Sequence, residues 1–389
     1  MNISFLPRTV VIFGLVSFLN DAASEMITPL LPVFLTATLG AGPAVLGLVE
    51  GIAEATASIL KLVSGRLADR GWNQKRLVLG GYSISNLARP FIGLALSWNL
   101  VLVLRFLDRV GKGLRTSSRD ALISASIDSR QRGRAFGFHR ALDNAGAMVG
   151  PLCAWFLLQH HIKMSHVFLW SLVPGILVIF LLIFGLKTAP AAVKPEELPP
   201  LRWAALDRRM RGLILASAGL ALANAPEAFL VLWATDRGLQ IAWVPLIWAA
   251  ASAVKAMVAG PAGGLSDHFG RLPVLLCGWT LRIILLLSLA WSCLAVHPVL
   301  VWTLFLAYAA SLAATEGAER ALIGDFARRQ ERATAFGLYH MLVGLAALPG
   351  ALLFGTVWQT LGSAAAFILS ALISIGAIFV LRRQYQEGK

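Results

Sequence analysis

The sequence predicts an all-α integral membrane protein of about twelve spanning helices arranged as two similar six-helix bundles. Three observations carry this reading. The 389 residues are 57% hydrophobic and 14% charged, against about 45–50% apolar and 25% charged for a soluble globular chain. Apolar stretches of membrane-spanning length recur from Thr9 to Leu381 with short connections, and at about 30 residues per span and connection the length accommodates roughly twelve. The second half of the sequence also repeats the first in register.

Apolar runs bounded by turn residues and charges place spans near 9–39, 45–67, 77–97, 100–126, 136–159 and 167–186. A second set falls near 212–234, 242–265, 272–295, 299–324, 334–358 and 364–381. The first run carries Asp21 and Glu25 and continues through PLLPVFL, with no small-residue cleavage site, so it reads as a spanning helix and not as a removable signal. Alternate connections are basic (ADRGWNQKR, DSRQRGR, SDHFGR, FARRQER and the tail RRQYQEGK), whereas GAGPA, SWN, HP and QTLGS carry no Lys or Arg. By the positive-inside rule the basic connections and both termini face the cytoplasm, in the inner (cytoplasmic) membrane. The net charge of +14 is therefore mostly an orientation signal, which argues against nucleic acid as a partner.

Cys153, Cys277 and Cys293 lie in apolar stretches with no metal-knuckle spacing, and no metal or cofactor is expected. The GKG at 111–113 lacks the leading Gly and trailing Ser or Thr of a phosphate loop. His160, His161 and His166 read as solvated residues of a connection. Trp98, Trp155, Trp170, Trp243 and Trp302 fall near span ends, as interfacial anchors do.

The repeat is explicit in the residues. At a shift of 200, Ala121-Leu122-Ile123 falls on Ala321-Leu322-Ile323, Arg132 on Arg332, and Ala135-Phe136-Gly137 on Ala335-Phe336-Gly337. At a shift of 198, Gly65, Leu67 and Asp69 fall on Gly263, Leu265 and Asp267. Between the halves, KTAPAAVKPEELPPLRWAALDRRMR is the longest polar connection, with four prolines. Bundles at 1–186 and 212–389 joined by a cytoplasmic linker at 187–211 are the expected domains. Parallel repeats of this kind are how many transporters build a midplane site for alternating access.

GRLADRGWNQKR (Gly65 to Arg76) and GGLSDHFGR (Gly263 to Arg271) resemble the loop signature of the major facilitator superfamily, between spans two and three and again between eight and nine. The resemblance covers the whole chain and implies that fold and secondary transport. RFLDRVGKG, from Arg105 to Gly113, resembles the Arg-then-Gly motif of the family's proton-driven exporters, but Asp108 and Arg109 stand where an amide and a Gly are usual. SEMITPLLPVFL, DRVGKGLRTSSRDALI and RGRAFGFHRALDNAG resemble a bacterial and archaeal subgroup whose substrates are mostly unassigned.

Intramembrane charges are costly and normally face a bundle interior or an aqueous cavity. Here they concentrate in the first repeat. Asp21 and Glu25 lie roughly 18 and 24 Å along the first span, on one face. Glu50 and Glu54 share a face of the second span, and Arg105, Asp108, Arg109, Lys112, Arg115 and Arg119 form a stripe down the fourth. Two readings stand for this set. In one, acids of spans one and two neutralise the bases of span four and lock or gate the bundle, with Asp108, Arg115, Arg119 and Asp120 as gate residues. In the other, Glu25, Glu54 and Asp21 carry protons, while Arg109 and Lys112 meet an anionic cargo group.

Gly146, Gly150 and Pro151 are expected to serve helix packing, and Arg140 with Asp143 to pair with span four or the inner loop. Asn224, Glu227 and Lys255 would complete the cavity from the second half, unless Glu227 and Lys255 pair with each other. Glu319 and Arg320 occupy the repeat positions of Arg119 and Asp120 with signs exchanged, which suggests inner-gate contacts. Among the loop-signature residues, Gly65, Asp69, Arg70, Gly263, Asp267 and Arg271 are assigned to the gate, where the Asp carboxylates meet a helix N-terminus or a nearby Arg. The expected protein is a monomeric secondary transporter of a small solute, coupled to protons, with an organic anion or an anionic metal chelate such as a siderophore as cargo. Proton-driven efflux of drugs or metal ions, and a non-transporting membrane receptor, are the alternatives. No nucleophile-and-base set for an enzyme emerges.

Overall fold

The computed structural model describes residues 7–69, 72–126, 132–186, 203, 208–292, 297–326 and 332–386. Among these, all regular structure is helical: α1 Arg8–Glu25, α2 Leu31–Val33, α3 Pro43–Asp69, α4 Gln74–Ala88, α5 Trp98–Ala125, α6 Arg132–Gln159, α7 Met164–Trp170 and α8 Leu172–Gly185. Then come α9 Arg208–Leu222, α10 Glu227–Asp236, α11 Val244–Phe269, α12 Arg271–Trp291, α13 Pro298–Phe326, α14 Arg332–Leu361 and α15 Ser363–Gln386.

Nine stretches among the described residues are long and apolar enough to cross a bilayer. The other three expected spans fall short: α4 has 15 residues, and α1 and α5 carry too many charges, Arg8, Asp21 and Glu25 in α1. With these three the expected twelve are accounted for.

Two spans expected as single helices are broken. The first stops at Glu25, turns through Met26–Leu30, and resumes as α2 and a π-helical turn over Phe34–Thr38. Pro29 and Pro32 fall in and just after this break, where each removes an N–H donor and crowds the preceding turn. The seventh stops at Leu222 and restarts after Pro226, which caps α10; the residue before a proline is pushed out of the helical region. The third ends at Ala88, and Pro90–Leu94 continues as a 3₁₀ turn.

Contacts divide the chain into two compact units, residues 1–34 with 56–198 and residues 35–55 with 199–389. In the first, α1 lies along α6, α4 along α5, and α8 covers α1 and α4. Val10, Phe13, Val78, Tyr82, Ile123, Val178 and Leu182 form part of its core. The close contact of α1 with α6 depends on two glycines, since a Cβ at Gly146 or Gly150 would run into the carbonyl of Phe18 or Ala22. Small residues at such contacts let backbones approach where no hydrophobic drive between helices exists.

In the second unit α9 packs on α14 and α15, α11 on α13, and α12 on α13 and α15. Leu213, Ile214, Leu275, Trp279, Tyr339 and Leu381 build its core. The start of α3 belongs to this unit and lies against α14. A Cβ at Gly47 would strike the Ala351 carbonyl, and one at Gly51 the Leu348 side chain. The Ala44 N–H donates to Gln359 Oε1 at 3.2 Å. Phe180, Phe184, Trp291 and Phe379 stay largely exposed, an apolar exterior suited to lipid.

Gly146→Leu should therefore force α1 off α6 and cost about 1–3 kcal/mol, read as a lower unfolding temperature of the detergent-solubilised protein. Gly80→Ala is the control: no atom lies within 4 Å of a Cβ there, and removing a helical glycine should be neutral or stabilising by up to about 1 kcal/mol.

Candidate functional site

The polar interior of the first unit starts from a backbone contact. Gly81 of α4 and Gly111 of α5 face each other so closely that a Cβ on either would strike the other's carbonyl. This brings the polar stripe of α5 against α4 and lets short side chains bridge them. Ser85 Oγ donates to the Asp108 carbonyl at 2.7 Å, and Arg115 Nη1 donates to Ser85 Oγ at 2.6 Å. The Arg115 guanidinium also lies 4.4 Å above the Tyr82 ring, an electrostatic attraction to the ring face.

At the centre is Asp108, 1% exposed. Its Oδ1 accepts from Arg89 Nη2 at 2.8 Å and Nε at 3.1 Å. Its Oδ2 lies 3.5 Å from Arg105 Nη1 and 3.9 Å from Arg109 Nε. Arg89 also donates from Nη1 to the Asn20 carbonyl at 3.3 Å, and Asn86 Nδ2 donates to Asn20 Oδ1 at 3.2 Å. The network thus ties α1, α4 and α5 through charge-assisted bonds, the stronger kind.

A second polar cluster sits on the α1–α6 contact. Ser17 Oγ donates to Asp143 Oδ1 at 2.6 Å, and Arg140 Nη1 donates to Asp143 Oδ2 at 3.1 Å. Asn20 Nδ2 donates to Asp21 Oδ1 at 2.9 Å. Arg140 and Asp143 thus pair with each other, and Asp143 with Ser17 of α1.

The remaining expected residues are dispersed. Glu25 is the last residue of α1, at its break, and Lys112 is half-buried on α5. Glu54 is exposed on the part of α3 that belongs to the second unit. Arg109, expected to grip cargo, is half-buried beside Asp108. Arg119 pairs with its neighbour Asp120 at 2.9 Å. Gly65 lies in ordinary contact with Ser117, whose Oγ donates to the Lys61 carbonyl at 2.8 Å. Arg271 opens α12 directly after Gly270, whose φ of 92° favours glycine. Arg70 lies outside the described residues, as do the side chains of Asp69, Asp267 and Arg320 and the surroundings of Gly263.

In the second unit Lys255 Nζ is 2.6 Å from Glu227 Oε1, so the internal pair is the arrangement present. Glu227 is the first residue of α10, where a carboxylate also meets unsatisfied N–H groups. Tyr308 OH donates to the Ala225 carbonyl at 3.2 Å and reaches Asn224 Oδ1 at 3.4 Å, fixing the strand of backbone between α9 and α10. Glu319, expected at a gate between halves, accepts from Trp279 Nε1 at 3.0 Å and Tyr339 OH at 2.8 Å within its own unit.

The units repeat one steric solution with different chemistry. Gly278 on α12 lies against Thr315 on α13, as Gly81 lies against Arg115. One turn on, Arg282 Nη2 reaches Thr315 Oγ1 at 3.4 Å, where the first unit has Ser85 and Arg115. The guanidinium has moved from one helix of the pair to the other.

Sequence reasoning placed Asp108 in the charged stripe but missed its main partner, Arg89, and the bridging Ser85, Asn20 and Asn86. A count of charges passes over buried amides and hydroxyls. The available signal was the polar run SNLARP ending an apolar span.

Six-span repeats, the first with an ionic network in its interior, point to a membrane transporter. Residues 13–261 and 240–388 match the Major Facilitator Superfamily. An uncharacterized MFS-type transporter of Methanocaldococcus jannaschii is 33% identical over 361 residues, covering 91% of this chain and 89% of the relative. An uncharacterized protein of Mycobacterium tuberculosis is 29% identical over 392 residues, covering 96% and 93%. Among solved structures, a bacterial homolog of the human lysosomal transporter Spinster, inward-facing and occupied, superposes with a TM-score of 0.80 at 17% identity, covering 97% of this chain and 96% of that one. The chain belongs to the major facilitator superfamily: it is a multi-pass membrane transporter and not an enzyme.

Replacing Asp108 with Asn should leave two or more buried guanidiniums uncompensated and destabilise the protein by about 3–5 kcal/mol. The double variant Arg89→Met with Asp108→Leu should recover part of that loss, because the pair is removed together. Thermal unfolding of both purified variants checks this.

Proposed function

We propose that the protein moves a small organic anion, or an anionic metal chelate, across the inner membrane by alternating access, with protons as the coupling ion and both termini in the cytoplasm. The observation that supports an anionic cargo is the charge imbalance on α4 and α5. Arg89, Arg105 and Arg109 face the single carboxylate of Asp108, Lys112 and Arg115 follow on α5, and Arg109 and Lys112 are the two in the set that are not fully buried. A planar guanidinium beside a flexible ammonium suits a carboxylate or phosphate.

The proton reading rests on α1. Asp21 and Glu25 are the proposed carriers there, Asp21 held by Asn20 Nδ2 one turn from the Ser17–Asp143 bond that joins α1 to α6. Glu54 remains a candidate on α3. Glu227, Lys255 and Asn224 are the proposed contribution of the second half, and residues 1–186 and 212–389 the bundles that exchange access.

The test has two stages. A thermal-shift screen of the purified protein against organic acids, siderophores, metal ions and drugs identifies a ligand, and counterflow in proteoliposomes follows with the labelled hit. An anion should exchange, and Arg109→Gln and Lys112→Gln should each weaken its half-saturation about 10- to 100-fold, as expected for losing a hydrogen bond to a charged group. Binding without exchange would favour a receptor, and exchange of cationic drugs or metal ions alone would favour efflux.

For coupling, Asp21→Asn, Glu25→Gln and Glu54→Gln should separate pH-driven accumulation from counterflow. A carrier residue is expected to lose the first and keep the second. Full accumulation in all three would remove protons as the coupling ion.

A further inference from the structure

An apolar hollow in the first unit lies outside the polar network. It is an open groove of about 550 Å³ between α1, α6 and the start of α7–α8, lined by Phe18, Leu19, Met26, Leu152, Phe156 and Trp170 among others. The volume falls within the range of ligand sites, about 300–1,000 Å³. Its walls offer few hydrogen-bonding groups, the Cys153 thiol and the Trp170 indole N–H, so neither an anionic solute nor ordered water suits it.

Three features select an occupant. First, the α6 wall runs from Val149 to Leu157, about 12 Å of helix, close to the depth of one leaflet of a core about 30 Å thick. Second, the floor is closed, because Gly146 and Gly150 bring α6 onto the Phe18 and Ala22 carbonyls; an occupant lies along the contact and cannot pass through it. Third, the mouth is basic. The His160 ring lies 4.2 Å from the Phe156 ring, and the Ile162 N–H donates back to the Leu157 carbonyl at 3.1 Å. The connection thus starts at the groove's end, where Phe156 and Leu157 line it. Exposed His161, Lys163 and His166 follow, with Lys163 capping α7, and no acid occurs anywhere from 144 to 186.

We propose that this groove holds an acyl chain of an anionic phospholipid, with the headgroup phosphate met by the Lys163 ammonium and the His161 and His166 imidazoles. Apolar walls one leaflet deep, ending in a cationic loop, match the amphipathic division of that lipid and of no water-soluble ligand. The bound chain lies against α1 at Phe18, Ala22 and Met26, beside its break, and braces α1 on α6.

The test uses the full chain in lipid nanodiscs containing a trace phospholipid probe with a diazirine in mid-chain, in phosphatidylglycerol and phosphatidylcholine versions. After photolysis, crosslinked peptides are mapped by mass spectrometry. Peptides spanning Phe18–Met26 and Val149–Leu157 should be labelled about fivefold more by the anionic probe, the factor expected for one basic residue at a membrane surface. The triple variant His161→Gln, Lys163→Gln, His166→Gln changes only exposed positions and should erase that preference. Leu152→Trp should fill the groove and remove labelling by both probes there, while labelling elsewhere on the protein persists and reports a folded chain; Val149→Phe serves if that variant does not fold. Equal labelling by the two probes, a preference surviving the triple variant, or displacement by free glycerol phosphate alone would overturn the proposal.

Discussion

One buried carboxylate governs the interior of the first unit. Asp108 is 1% exposed and accepts two bonds from Arg89 while facing Arg105 and Arg109. A membrane bundle tolerates ionised groups at such depth only where they neutralise one another or meet water, and each charge taken out of water costs several kcal/mol before pairing. The arrangement of α1, α4 and α5 follows from that condition. Arg89 must end α4 at the level of Asp108, and Asn20 must lie beside both, since its carbonyl and amide complete the bonding of Arg89 and Asn86.

That arrangement is possible only because backbones touch. Gly81 against Gly111, and Gly146 and Gly150 against α1, bring helices close enough for short side chains such as Ser17 and Ser85 to bridge them. In a bilayer, packing and polar bonds between helices replace the hydrophobic drive that water supplies. The second unit uses the same kind of contact at Gly278, Gly47 and Gly51, yet its polar content differs. Glu319 rests on Trp279 and Tyr339, and Lys255 on Glu227. Duplicated helices have kept their steric seams while the charges on them changed sign or moved to the facing helix.

The fold was largely legible in the residues. Span-length apolar runs, alternating basic connections and the 200-residue repeat each follow from one-dimensional rules of length, charge and period, which the bilayer enforces on every span alike. The breaks at Met26–Leu30 and Ala223–Pro226 were signalled by Pro29 and Pro226 but were overridden by the continuity of apolar residues around them. The site was legible as composition only. Asp21, Arg89, Asp108, Arg109 and Asp143 stood out as charges out of place, whereas Asn20, Asn86 and Ser85 did not. Their importance depends on which helix lies opposite, and uncharged polar groups carry little signal against an apolar background.

By itself the sequence determined the class, the number of spans and the concentration of charge in the first repeat, because hydropathy and charge patterns act along the chain and need no knowledge of neighbours. Only the tertiary structure decided pairings: Asp108 with Arg89 on another helix, Asp143 with Ser17 across the α1–α6 seam, and Glu227 with Lys255. The reason is geometric. Ion pairs and hydrogen bonds act over about 3 Å, and contacts of that length between helices are set by which glycines let two backbones meet.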